Sequence, residues 1–189
     1  MGSLSLLLHP RAALEETTAP PPLREAVLVV VASGAASAAL ELAGTRLVSG
    51  TRAGYVLSAL LPVFFPLYWL LNAWLIDAGA SLVGRSGRTR AYLASSAFAF
   101  PALISFALLS LLEAVAQRFA GSGLASALGW LTLPTLAWFL ALVVLITRAV
   151  YDIPTLNAFA LALLPYAAMT GALLLLLIVL SALHAAGVT

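Results

Sequence analysis

Long apolar stretches, separated by short charged ones, occupy most of the 189 residues of this chain. Each is long enough for an α-helix that crosses a bilayer, which takes about 20 predominantly apolar residues. The pattern therefore predicts an all-α polytopic membrane protein with five transmembrane helices and no water-soluble domain. The predicted spans lie approximately at 26–45, 55–76, 91–112, 127–147 and 156–180.

The first span is the only one of the five that must carry a charge inside it. Only 15 residues separate Glu25 from Glu41, so a complete crossing includes Glu41 about one turn from its far end. A charge at the bilayer centre costs about 2.5–3.5 kcal/mol on insertion scales, but near the interface it can reach headgroups or an arginine. We therefore expect ion pairs at this rim, formed by the carboxylates of Glu41 and Glu113 and by Arg46 and Arg118.

Prolines recur inside the last four predicted spans. Each removes a backbone donor and crowds the preceding turn, so kinked helices are predicted. Membrane helices tolerate such kinks because neighbouring groups satisfy the freed carbonyls. Two interpretations stay open: ordinary membrane-helix composition, or a hinge or cavity. The prolines are Pro62, Pro66, Pro101, Pro134 and Pro165.

The distribution of arginine predicts the orientation. Cytoplasmic loops carry an excess of basic residues, and six of the nine arginines fall on the side that holds the N-terminus. The N-terminus is therefore predicted in the cytoplasm and the C-terminus outside. Residues 1–25 are predicted to be a cytoplasmic segment, with a short interfacial helix or a partly ordered tail as alternatives. The six arginines are Arg11, Arg24, Arg85, Arg88, Arg90 and Arg148.

Composition supports the same class of protein. Hydrophobic residues make up 63 % of the chain and charged residues 8 %, against about 25 % charged in soluble domains. The net charge of +2 and the scattered arginines argue against a nucleic-acid partner. The chain has no cysteine, so it forms neither disulfides nor thiolate metal sites.

No pattern in the sequence predicts catalysis. The two histidines, His9 and His184, fall on opposite faces of the membrane in the predicted orientation, so they cannot share a metal. The H-E-x-x-H motif of zinc proteases is absent, and no ionisable group lies near the midplane, where ion-coupled transporters carry them. We therefore expect no enzymatic activity, no catalytic residue, no cofactor and no metal. Passage of an apolar or lipid-like molecule remains open.

Several residues are instead candidates for contacts. Gly34 and Ala38 give the first span a small-xxx-small face that permits close helix approach, and with Pro101 and Pro165 they are the helix-contact candidates. Arg85, Arg88 and Arg90 form a basic loop suited to anionic headgroups or an acidic partner.

Polar and aromatic side chains in the spans have simpler explanations. Asn72 is a polar group inside the second span, and a hydrogen bond between helices explains it. Aromatic residues close to the predicted boundaries are interpreted as interfacial anchors. These are Tyr68, Trp69, Trp74, Tyr92 and Trp130.

Short motifs that recur in a known family follow one another along almost the whole chain. They are a leucine-rich start with His9-Pro10-Arg11, a Pro-rich linker, Leu23-Arg24-Glu25-Ala26, Trp69 and Trp74, the 84–88 loop, Ala99-Phe100-Pro101-Ala102, Trp138, Asn157-Ala158 and Leu164-Pro165-Tyr166. Together they resemble the Yip1-domain family in its compact prokaryotic form.

The resemblance implies a multi-pass membrane protein with no settled activity. Eukaryotic members associate with Rab GTPases mainly through a longer N-terminal region, and this chain lacks the D-L-Y-G-P type of motif, so no Rab partner is expected. Its arginine-only, Ala/Leu-rich usage is compatible with a GC-rich prokaryote, which would make the membrane the plasma membrane.

Three functional hypotheses follow. The leading one is a non-enzymatic scaffold, assembly factor or accessory subunit that acts through lateral helix contacts. Its partners would be membrane lipids, other integral membrane proteins or further copies of the chain. The alternative is a transporter or lipid-handling protein with a cavity between kinked helices. The third, a membrane enzyme, would need a reactive centre built from Glu41, Glu113 or Asp77.

Overall fold

The computed structural model describes residues 22–48 and 50–185, and the side chains of these residues except 176 and 182–185. This part of the chain is helical and contains no strand. The elements are α1 (Leu23–Leu47), α2 (Arg52–Ser81), α3 (Thr89–Ser96), a 3-10 turn (Ala97–Ala99), α4 (Pro101–Phe119), α5 (Ser122–Trp130), α6 (Thr132–Tyr151) and α7 (Thr155–Ala185).

Five helical stretches are long and apolar enough to cross a membrane, which confirms the predicted number. The third stretch joins α3, the 3-10 turn and α4, and the fourth joins α5 and α6. The helices extend beyond the predicted spans because their end turns include polar and charged residues. The orientation of the termini stays a prediction, and the predicted interfacial helix before residue 22 lies outside the described residues.

The prolines act in two different ways. Pro62, Pro66 and Pro165 lie inside helices, as predicted. In contrast, Pro101 is the first residue of α4, and Pro134 lies in the first turn of α6. The first turn of a helix has no intrahelical partner for its N–H groups, so proline costs little there. These two prolines therefore mark breaks within the third and fourth spans, not kinks inside continuous helices.

The bundle has two ends, which we name after one carboxylate each. At the Asp77 end, α2 turns into α3 through residues 82–88, and α6 turns into α7 through residues 152–154. At the Glu41 end, α1 is followed by α2 and α4 by α5. Thr51 begins α2 at this end, where its hydroxyl accepts a hydrogen bond from the N–H of Gly54 at 3.2 Å. Such side-chain capping satisfies a backbone donor that has no partner within the helix.

The largest buried apolar cluster lies between α2, α3, α4, α6 and the start of α7. A second cluster joins α1 to α2 and to the break before α4, and includes Val30, Phe65, Trp69 and Phe100. In lipid, helices associate through close packing and hydrogen bonds, since the solvent is as apolar as the side chains. The first cluster includes Ala73, Ile76, Tyr92, Phe139, Leu142, Ile146, Tyr151, Ala158 and Ala162.

Among its described side chains, helix α7 is packed only as far as Tyr166. Ala158 and Ala162 are fully buried, and Pro165 is nearly so. In contrast, every described side chain of residues 167–181 is exposed. A stretch of consecutive residues covers all faces of a helix, so this segment, named the α7 arm, has no side packed against the bundle.

Candidate functional site: a polar network at the Asp77 end

Asp77, about one turn before the end of α2, joins three parts of the chain. Its Oδ1 accepts hydrogen bonds from the Tyr151 hydroxyl at 2.8 Å and from the N–H of Arg88 at 3.1 Å, and its Oδ2 accepts from the N–H of Gly87 at 3.4 Å. Gly87 has a φ of 77°, which glycine adopts without the steric cost that a Cβ would add. The carboxylate therefore fastens both the 82–88 loop and the end of α6 to α2.

The arginines of this loop also contact the same chain. The Arg88 guanidinium donates to the carbonyl of Val150 near the C-terminus of α6, where cations interact favourably with the helix dipole. Arg85 Nη2 lies 3.7 Å from Asp152 Oδ2, and this is the one ion pair within 4.0 Å among the side chains that the structure describes. Arg90 is exposed. Contact of these three arginines with headgroups or an acidic partner stays a prediction, for which Arg90 is the least engaged of the three.

A buried chain of hydrogen bonds links α2 to α3. The Tyr92 hydroxyl donates to Asn72 Oδ1 at 3.0 Å, and Asn72 Nδ2 donates to the Tyr68 hydroxyl at 3.3 Å. Tyr92 is completely buried and Asn72 is 5 % exposed. The predicted hydrogen bond between Asn72 and another helix is therefore confirmed.

Two of the residues interpreted as interfacial anchors belong to this interior. Tyr92 is buried beside Asn72, and Trp69, 3 % exposed, donates from Nε1 to Ser96 Oγ at 3.0 Å. The anchor interpretation is therefore wrong for Tyr92 and Trp69, because hydrogen-bond partners inside the bundle satisfy their polar atoms. Trp74 and Trp130, in contrast, are exposed.

Aromatic contacts extend the network towards the α7 arm. The Tyr92 and Tyr151 ring centroids are 6.1 Å apart, and those of Tyr68 and Tyr166 are 6.4 Å apart. The Tyr166 hydroxyl is buried with no hydrogen-bond partner within the described part of the chain. The tyrosine cluster thus ends beside the residue at which α7 leaves the bundle.

The chemistry of the network is that of a structural tether. Its one carboxylate, Asp77, is occupied by three donors, and its other polar groups are tyrosine hydroxyls and an amide. Among the described residues no group of three His, Cys, Asp or Glu side chains could hold a metal ion. The arrangement holds α2, α3 and α6 together.

At the Glu41 end each of the two carboxylates lies against another helix. The Ser110 hydroxyl donates to Glu41 Oε2 at 3.2 Å, which links α1 to α4. The Glu113 carboxylate lies against Gly129 of α5, 3.5 Å from where a Cβ would stand. In the described residues neither carboxylate lies within 4.0 Å of the charged group of Arg46 or Arg118.

The four helix-contact candidates lie within the fold. A Cβ on Gly34 would stand 3.1 Å from both Leu61 O and Pro62 Cα, so α1 meets the backbone of α2 at this glycine. Ala38 is buried in the same helix, Pro165 is buried at the base of α7, and Pro101 is half-buried. Gly34, Ala38 and Pro165 therefore pack helices of this chain against one another, and contact of the four candidates with another protein stays a prediction.

The arrangement of these helices can be compared with known proteins. A model of the Yip1 domain matches residues 4–178, which include all of α1 to α6 and most of α7. The chain belongs to the Yip1-domain family. Comparison with curated proteins and with solved structures gives no significant match. This Yip1-domain protein is thus a multi-pass membrane protein of a family not known as enzymatic.

Proposed function

We propose that this Yip1-domain protein is a non-enzymatic membrane protein that acts through lateral helix contacts. It serves as a scaffold, assembly factor or accessory subunit in the plasma membrane, and its partners are integral membrane proteins or further copies of the chain. The observation that carries this proposal is the α7 arm. In the most apolar part of the last span 6 % of residues are buried, against 28–33 % in the other four spans.

The chemistry of the arm suits contact with another helix. No Asp, Glu, Lys or Arg occurs between Thr155 and Ala185, so a partner helix needs no compensating charge. Exposed small residues let helix backbones approach closely in lipid, and the arm has them at Ala168, Gly171 and Ala172. A Cβ on Gly171 would meet nothing within 4 Å. The equivalent space at Gly34 is filled by α2.

The predicted orientation gives this surface a location. With the N-terminus in the cytoplasm, the Asp77 end faces the cytoplasm and the α7 arm crosses the outer half of the bilayer. Arg90 then lies at the cytoplasmic surface, where each arginine near anionic lipid contributes about 1 kcal/mol. The proposal therefore separates a lipid-facing contact at Arg90 from a helix-facing contact at the arm.

Photo-crosslinking in native membranes tests the proposal. A photoreactive phenylalanine analogue at Leu174, on the arm, is compared with the same group at Leu108 on α4, since these side chains are 55 % and 46 % exposed. We expect a discrete protein adduct from position 174 and only lipid adducts from position 108. Lipid adducts alone from both positions would refute the proposal and favour the lipid-handling alternative.

Tryptophan substitutions test whether the arm surface binds the crosslinked partner. Leu174→Trp enlarges the arm surface without adding charge, and Leu108→Trp is its matched control. We expect co-purification of the crosslinked partner in mild detergent to fall at least several-fold for Leu174→Trp and to stay unchanged for Leu108→Trp. Equal loss in both variants would indicate a general folding defect and not a contact surface.

A further inference from the structure

The two parts of α7 are held very differently. The methyl groups of Leu161 and Leu164 lie so close to Gly79 that a Cβ there would stand 2.6 Å and 2.9 Å from them. The first part of α7 is therefore in direct contact with the α2 backbone. Beyond Tyr166, whose ring lies against Tyr68, every described side chain of the arm is exposed.

The junction between these parts is the weakest stretch of the helix. Pro165 has no N–H to donate to the carbonyl of Leu161, so one helical hydrogen bond is missing where the contacts end. Gly171 follows six residues later, and glycine disfavours helix by about 1 kcal/mol relative to alanine. Segments with few buried contacts open at the lowest free energy. A change of direction is thus easiest between Pro165 and Gly171.

The face of α2 that contacts α7 continues beyond the contact. Gly79 and Tyr68 lie on this face, and the helical repeat extends it to Phe64 and Leu57. Both are uncovered, at 47 % and 67 % exposed. Both side chains are apolar, like most of those in the arm.

The arm and the exposed face of α2 also have similar lengths. The arm has 15 residues (167–181), or about 22 Å of helix at 1.5 Å per residue. Residues 52–67 of α2 extend over about 24 Å by the same rise. The arm is therefore long enough to lie along the exposed face of this part of α2.

We propose that the α7 arm is a movable element, hinged between Pro165 and Gly171, that swings between the observed position and a closed one on the α2 face formed by Leu57 and Phe64. In the observed position lipid chains fill the space between the arm and α2, and closing expels them sideways. The small side chains of Ala168 and Ala172 let the arm approach the Phe64 ring. This inference does not depend on the proposed function, because it concerns the isolated chain.

Spin-label distances test the hinge, and the absence of cysteine makes the labelling specific. Leu60→Cys with Leu173→Cys reports on the arm, and Ala78→Cys with Ala160→Cys reports on the packed part; all four side chains are exposed. In lipid nanodiscs we expect the arm pair to give two distances, or a distribution at least twice as wide as the single narrow one of the control pair. A single distribution as narrow as the control would overturn the proposal.

Two further variants locate the hinge and the closed position. Gly171→Ala strengthens the helix at a site where a Cβ meets nothing within 4 Å, so it cannot disturb packing, and we expect it to narrow the arm distribution. Phe64→Ala shortens the acceptor face, and we expect it to reduce the shorter-distance population at least twofold. Phe106→Ala, at an exposed position of α4, is the control. If neither Gly171→Ala nor Phe64→Ala changes the distribution, the proposed hinge and acceptor face are wrong.

Discussion

The Asp77 end and the α7 arm show how differently two regions of one apolar bundle are held. At the Asp77 end, side-chain hydrogen bonds join α2, α3, the 82–88 loop and α6. In the arm, apolar side chains face outwards on every side of a single helix. Since lipid gives helices no hydrophobic reason to associate, apolar character alone does not dock a helix. Glycine contacts and polar pairs decide which parts of the bundle are fixed.

The largest expected effect is on thermal stability, when glycine is replaced by leucine at position 79 near the Asp77 end and at position 171 in the α7 arm. Gly79→Leu forces new carbon atoms into the space held by Leu161 and Leu164, and such overpacking costs about 1–3 kcal/mol. Gly171→Leu adds the same atoms where nothing lies within 4 Å of the Cβ. We expect a lower thermal unfolding midpoint in detergent for Gly79→Leu only. Equal midpoints would contradict the close α2–α7 contact.

Removal of the Asp77 carboxylate should release the loop. Asp77→Ala leaves the Tyr151 hydroxyl and the N–H groups of Gly87 and Arg88 without their acceptor. Each such hydrogen bond contributes about 0.5–1.5 kcal/mol net, with exposed ones at the low end. We expect the free energy of unfolding to fall by about 1–2 kcal/mol in total, and we expect faster trypsin cleavage after Arg85 or Arg88. Asp152→Asn is the control because the position is exposed and asparagine also tolerates its positive φ of 53°; it should leave the cleavage rate nearly unchanged.

Loss of the hydrogen bond to the buried Asn72 amide should lower the free energy of unfolding by a smaller amount. Tyr92→Phe removes the donor to Asn72 Oδ1, and hydrogen bonds between membrane helices contribute about 0.6 kcal/mol on average. A double-mutant cycle with Asn72→Leu measures this coupling through unfolding in mixed micelles. Additive effects of the two substitutions would show that the pair does not interact.

The surface ion pair between Arg85 and Asp152 should contribute least to the stability of the fold. Arg85 and Asp152 are 46 % and 81 % exposed, and exposed pairs contribute about 0–1 kcal/mol. The free energies of unfolding of Arg85→Ala and Arg90→Ala should therefore lie within about 0.5 kcal/mol of that of the parent chain. A clear loss for Arg85→Ala alone would assign the ion pair a larger share in holding the Asp77 end.

The number of helices could be predicted because charge spacing alone limits where lipid-exposed segments can lie. The division of α7 into a packed part and an exposed arm could not be predicted, since its apolar residues show no preferred face. Residues 173–180 are all leucine, isoleucine or valine, so every side of the helix is equally apolar. The breaks at Pro101 and Pro134 were also missed. The sequence shows proline, but whether it begins a helix or lies within one depends on the packing of the preceding turn.

The polar network was only partly accessible from the sequence. Asn72 was recognisable as an internal hydrogen-bonding residue because it is polar within an apolar span. Its partner Tyr92 was assigned to the membrane boundary, and Tyr151 was not singled out at all. The one local signal was Tyr68, four residues before Asn72 and hence on the same helix face. Pairing across helices needs the three-dimensional arrangement.

The length of α2 links the shape of the protein to the thickness of its bilayer. Its 30 residues make a helix of about 45 Å, whereas the hydrocarbon core measures about 30 Å. A helix this long either tilts or extends its ends into the headgroup region, at a cost of fractions of a kcal/mol per Å of mismatch. Because the polar network at the Asp77 end couples α2 to α3 and α6, a thicker membrane would bring all three upright together, while the tilt of the α7 arm would change independently of them.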